Sequence, residues 1–169
     1  ACVGAPSTVE GQDARGMQQL AREAWRQLRT GAEDSIEAEV QDMATYEALA
    51  EVQQAACEAL VRMAQSVEDY KHKAREAGAI EAVVSAMSRH PQDAQVQQAA
   101  CEALRHTVCR AEVSQECARE AGAIEAVVSA MSRHPEDAGV QQAACQALED
   151  IVLFIDGNKV RAREAGAIE

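Results

Sequence analysis

The sequence predicts an all-α fold assembled from a repeated helical unit. Three observations carry that expectation: the composition, an internal period of 44 residues, and helical spacing of the apolar positions within each period. Ala, Glu, Gln, Arg, Leu and Val dominate the 169 residues, whereas Pro numbers three, Tyr two, and Phe and Trp one each. Intrinsic preference therefore favours helix almost throughout, and the interior has to be built from small aliphatic side chains.

The period is explicit. The string Val-Gln-Gln-Ala-Ala-Cys starts at Val52, Val96 and Val140, and Ala-Arg-Glu-Ala-Gly-Ala-Ile-Glu starts at Ala74, Ala118 and Ala162. Residues 1–16 carry no copy and read as an N-terminal tail. Residues 17–29 form a degenerate first repeat, because Met17-Gln18-Gln19 through Trp25 matches Val52-Gln53-Gln54 through Leu60 at a shortened offset of 35. The second repeat covers 30–70, where Ile36, Val40 and Met43 match Ile80, Val84 and Met87. The third covers 71–113, the fourth 114–157, and 158–169 begin a fifth that is not finished. With no Met at its start, the chain is expected to be a piece of a longer protein.

Each unit divides into three helices. A short one through Arg75-Glu76-Ala77 breaks at Gly78, since glycine ends a helix at low cost in the left-handed conformation. In the next, Ile80, Val83, Val84 and Met87 fall at i, i+3, i+4 and i+7, and the helix closes near His90-Pro91 because proline cannot continue it. The third and longest carries the stripe Val96, Ala100, Ala103, Leu104 and Val108.

Gly78, Gly122 and Gly166 recur at the same turn, and the strings around them ("EAG-I", then "VQ-A--AL") resemble armadillo repeats from about residue 17 to the end, most closely from Val52 onward. A separate glycine-ended helix distinguishes this pattern from HEAT repeats, which pair two helices. The resemblance implies a right-handed α-solenoid of armadillo-like three-helix repeats whose third helices line a concave, partner-binding surface.

Candidate site residues follow from that implication. The polar positions of the third helices are Gln19-Glu23-Gln27, Gln54-Glu58-Arg62, Gln98-Glu102-His106 and Gln142-Gln146-Asp150, each set spaced i, i+4, i+8. In the armadillo arrangement they would stack as a ladder on helices about 8–10 Å apart. Importin-alpha-type members of the family place Trp at the second rung and Asn at the third. Here those positions hold Glu23, Glu58, Glu102, Gln146 and Gln27, Arg62, His106, Asp150, so the usual recognition of a localisation peptide is not implied. With His106 neutral, Glu23, Glu58, Glu102 and Asp150 against Arg62 leave the ladder net negative, which favours a basic, extended protein segment as ligand.

Divergence between units is localised. Residues 74–104 and 118–148 agree at 28 of 31 positions, whereas 105–117 and 149–161 share only Val108/Val152, and 61–73 and 105–117 share only Glu68/Glu112. Loops drift freely, which explains such windows without any function. The functional reading is that these inter-repeat segments help choose a partner.

Other chemistry is weakly represented. A net charge of −12 opposes a phosphate backbone and excludes nucleic acid as the expected partner, and no apolar run is long enough for a spanning helix. Cys57, Cys101 and Cys145 occupy one repeat position next to Ala-Ala and read as small packing residues rather than metal ligands, since no Cys-x-x-Cys or neighbouring His completes a set. Cys109 and Cys117 lie in a variable window and are expected to be reduced. His90 and His134 precede Pro at helix ends, where an imidazole caps carbonyls or sits in water. No phosphate loop, nucleophile–base constellation or paired carboxylate appears, so neither an enzyme nor a cofactor is expected. The expectation is a non-catalytic scaffold segment, cytoplasmic, with nucleus or organelle open. The alternative is a structural subunit of a large assembly, joined permanently through loops or the convex face; exposure of Leu153, Phe154 and Ile155 would favour it.

Overall fold

The computed structural model describes residues 35–67, 69–153 and 156–167. The expected tail, the degenerate first repeat with its rung Gln19-Glu23-Gln27, and Phe154 and Ile155 lie outside the described residues. Within them the fold is all-α, with nine helices and no strand: α1 (Ile36–Thr45), α2 (Ala50–Ser66), α3 (Tyr70–Glu76), α4 (Ala79–Arg89), α5 (Ala94–Val108), α6 (Glu112–Glu120), α7 (Ala123–Arg133), α8 (Ala138–Val152) and α9 (Asp156–Glu164). No helix among the described residues is long and apolar enough to cross a membrane.

Two rows organise the packing. The long helices α2, α5 and α8 pack in sequence, and the medium helices α1, α4 and α7 form a second row, each against the long helix that follows it. Short helices α3 and α6 link successive pairs, and α9 follows the last of them. The close approach of the long helices follows from their small residues: Ala56, Ala100, Ala103, Ala144 and Ala147 are fully buried. Leu60, Leu104, Ile80, Ile124 and Ile151 fill the space between rows, each stabilising by about 1.5–3 kcal/mol on burial.

Local chemistry sets the ends of the helices. Asp93 caps α5, its carboxylate accepting from the backbone N–H of Gln95 and Val96, both at 3.1 Å, and Asp137 caps α8 through Val140 at 3.0 Å. The equivalent Leu49 gives α2 no side-chain cap. Gly78, Gly122 and Gly166 take φ of 75°, 80° and 89°, the left-handed region that glycine enters without strain; at Gly78 and Gly122 it turns the short helix into the next one.

The variable windows differ in backbone as well as sequence. Helix α2 has 17 residues against 15 in α5, and α3 has 7 against 9 in α6. The shift occurs at the turn, where Asp69 (φ 55°) and Arg110 (φ 53°) adopt the left-handed conformation at non-equivalent positions.

One expectation requires correction. Cys57 and Cys101 are fully buried, as packing residues should be, but Cys145 is exposed. Helices α2 and α5 are each followed by a further long helix packed against them, and among the described residues none follows α8.

Candidate interaction surface

The nine candidate residues that the structure describes lie on the three long helices, and none is buried. On α2, Gln54 Nε2 donates to Glu58 Oε1 at 2.8 Å, and on α5, Gln98 Nε2 donates to Glu102 Oε1 at 3.0 Å. Each glutamine holds a carboxylate one turn away, so the two rungs present ordered acceptors rather than freely rotating ones. Gln142 is exposed, and Gln146 replaces the carboxylate on α8.

The last rung positions are more constrained. Arg62 is exposed, whereas His106 is half-buried and its Nε2 accepts from Arg105 Nη2 at 3.0 Å. Burial, reinforced by the Arg105 charge, holds the His106 imidazole below its ordinary range, so it adds no positive charge near neutral pH. Asp150 is tied on two sides. Its carbonyl accepts from Gln115 Nε2 at 2.6 Å, and its negative charge lies near the Cys109 thiol, which burial first and then this neighbour push up. At Glu58 and Glu102 the glutamine bond engages Oε1 and leaves Oε2 to accept from a ligand.

Sequence reasoning missed the glutamine next to each rung. Gln53 and Gln97 are buried, and each Nε2 donates twice: Gln53 to the carbonyls of Met43 and Tyr46, both at 3.0 Å, and Gln97 to those of Met87 and His90, both at 2.9 Å. Gln141 repeats this with Met131 and His134 at 2.8 and 3.0 Å. These glutamines satisfy the open C-terminal carbonyls of the preceding helix. The available signal was the identity of both glutamines in all three Val-Gln-Gln strings when only one can face outward.

The histidines do cap carbonyls, but across units. His90 Nε2 donates to the Glu47 carbonyl at 2.8 Å and His134 Nε2 to that of Pro91 at 3.0 Å, the same repeat position 44 residues on. The variable windows hold further ties: Tyr70 OH meets Thr107 Oγ1 at 3.3 Å, Lys71 Nζ donates to the Cys109 carbonyl, and buried Asn158 donates to the Ile151 carbonyl at 2.8 Å. These windows also contain every exposed large hydrophobic residue among those described, namely Val113 at 59%, Leu153 at 42% and Val160 at 55%.

No protein-family model matches the chain, no curated protein matches it, and no solved structure matches it.

Proposed function

We propose that the chain is a protein-binding segment of an armadillo-type α-solenoid that takes a basic, extended segment along its row of long helices. The observation that carries this reading is the pair of glutamine-ordered carboxylates, Gln54–Glu58 and Gln98–Glu102, set on neighbouring long helices that pack together. Ordered acceptors on adjacent rungs suit a ligand that is itself extended, with cationic side chains meeting Glu58 and Glu102 and its backbone meeting the glutamines. In the armadillo arrangement this row is the concave face, and the glycine-ended short helix in each unit supports that assignment.

The test is binding to extended Lys/Arg-containing peptides, measured by fluorescence anisotropy at rising ionic strength. Exposed charges are screened over about 8 Å at physiological salt, so affinity should fall with salt. It should fall further when Glu58→Lys and Glu102→Lys are combined. Binding that ignores both salt and the double reversal refutes the groove.

A second reading, a structural subunit held permanently in a larger assembly, is favoured by the exposure of Val113, Leu153 and Val160. Apolar residues that sit uncovered in this way mark protein contacts when they form a continuous patch. Substituting all three with Ser should then abolish assembly while leaving peptide binding in the groove intact.

A further inference from the structure

Two recesses at equivalent places in successive units differ in one respect that suggests a ligand. Both lie between neighbouring medium helices, away from the Gln/Glu face of the long helices. The first, between α1 and α4, encloses about 180 Å³ over Val40, Met43 and Ala86. The second, between α4 and α7, encloses about 390 Å³ over their counterparts Val84, Met87 and Ala130. At the rim of the first, Glu47 forms an ion pair with Arg89 at 2.7 Å. At the rim of the second, Pro91 stands where Glu47 would be, and Arg133 stands where Arg89 would be.

That exchange leaves Arg133 exposed and without a carboxylate among the described residues; its Nε donates only to Ser129 Oγ at 3.2 Å. The other charged group lining the recess, Glu125, is bonded to Arg161. The guanidinium therefore keeps both terminal nitrogens available in the fork geometry that suits a carboxylate. Its volume falls within the range of about 300–1,000 Å³ typical of ligand pockets.

We propose that the α4–α7 recess docks a partner protein through an acidic side chain adjoining an aliphatic one, with Arg133 holding the carboxylate and Val84, Met87 and Ala130 receiving the aliphatic group. The first recess displays the same chemistry satisfied internally: Glu47 occupies the position that the partner's carboxylate takes at the second. This surface is independent of the long-helix groove and selects the opposite charge.

The test follows the arginine side-chain Nε–H signals of the full chain by NMR while titrating the peptide acetyl-Leu-Glu-Leu-amide to about 10 mM, a range that detects millimolar affinities. The Arg133 signal should shift saturably while Arg89 stays still. Acetyl-Leu-Gln-Leu-amide should bind more weakly by up to about fivefold, the fold-change expected from losing an exposed charge pair. Pro91→Glu should silence Arg133 by supplying an internal carboxylate, and Glu47→Ala should make Arg89 respond. An unmoved Arg133, an equal response to the glutamine peptide, or an equal response of Arg89 in the unsubstituted chain overturns the proposal.

Discussion

The buried glutamines make the most demanding prediction about stability, and Gln97→Ala is its clearest form. The side chain is 2% exposed and its Nε2 closes two hydrogen bonds of 2.9 Å to the carbonyls of Met87 and His90 at the end of α4. Truncation removes both bonds and strips partners from two carbonyls. Each lost bond costs about 1 kcal/mol net, and an acceptor left unsatisfied costs about 1–3 kcal/mol where water cannot replace the donor. The Met87 bond is buried and the His90 bond partly so, which places the sum at about 2–4 kcal/mol. The neighbour Gln98, exposed and bonded only to Glu102 one turn on, should cost within about 0.5 kcal/mol when changed to Ala. Urea denaturation followed by circular dichroism measures both. Gln97→Glu sharpens the comparison, because an ionised carboxylate only accepts and would face two carbonyls. It should destabilise at neutral pH and recover in part as acid returns a proton to it. Equal costs for Gln97→Ala and Gln98→Ala, or a Gln97→Glu chain as stable at pH 7 as the parent, would refute the reasoning.

Two further outcomes follow from burial and backbone geometry. Cys145 should react with a thiol reagent in the native state, while Cys57 and Cys101 should react only on unfolding, because burial raises both thiols, Cys101 to about 12 and Cys57 further; rapid native labelling of Cys101, located by mass spectrometry, would contradict the packing described. Gly122→Ala should lower stability by about 1–2 kcal/mol through strain alone, since φ is +80° and the nearest atom to an added Cβ is Glu125 Oε2 at 3.8 Å; a melting temperature equal to the parent's would mean that the turn relaxes freely.

The all-α class was legible because two independent patterns agreed: the i, i+3, i+4, i+7 spacing of Ile80, Val83, Val84 and Met87, and the glycine that recurs at 78, 122 and 166. Buried stripes also translated directly, since Val96, Ala100, Ala103, Leu104 and Val108 are all fully buried. Sequence identity misled at Cys145, because identical residues are equally buried only when their neighbours repeat too. Gln53 and Gln97 were missed for a different reason. Polarity suggests solvent, and it is the end of the preceding helix that shows which carbonyls the amide satisfies inside. The inter-unit reach of His90 to Glu47 was hidden likewise, because a separation of 43 residues carries no local signature.

The variable windows carry two loads at once, and this changes how their divergence is interpreted. Tyr70 is joined to Thr107, Lys71 to the Cys109 carbonyl and Gln115 to the Asp150 carbonyl, so part of each window is matched to the neighbouring unit. Position 107 holds Thr, whereas its equivalent 151 holds Ile, and position 115 holds Gln, whereas 159 holds Lys. Replacing 105–117 by 149–161 as a block would take the hydroxyl away from Tyr70 and the amide away from Asp150. Such an exchange therefore acts on stability before it acts on recognition. The separable part is the exposed one. Among the described residues Val113, Leu153 and Val160 make no comparable polar tie across units, and point substitutions there leave Thr107 and Gln115 in place. Divergence at positions 107 and 115 is explained by adjacent units fitting each other. Divergence at 113 and 160 has no such partner among the described residues to explain it, and it is there that selection by an external partner can act without loosening the stack.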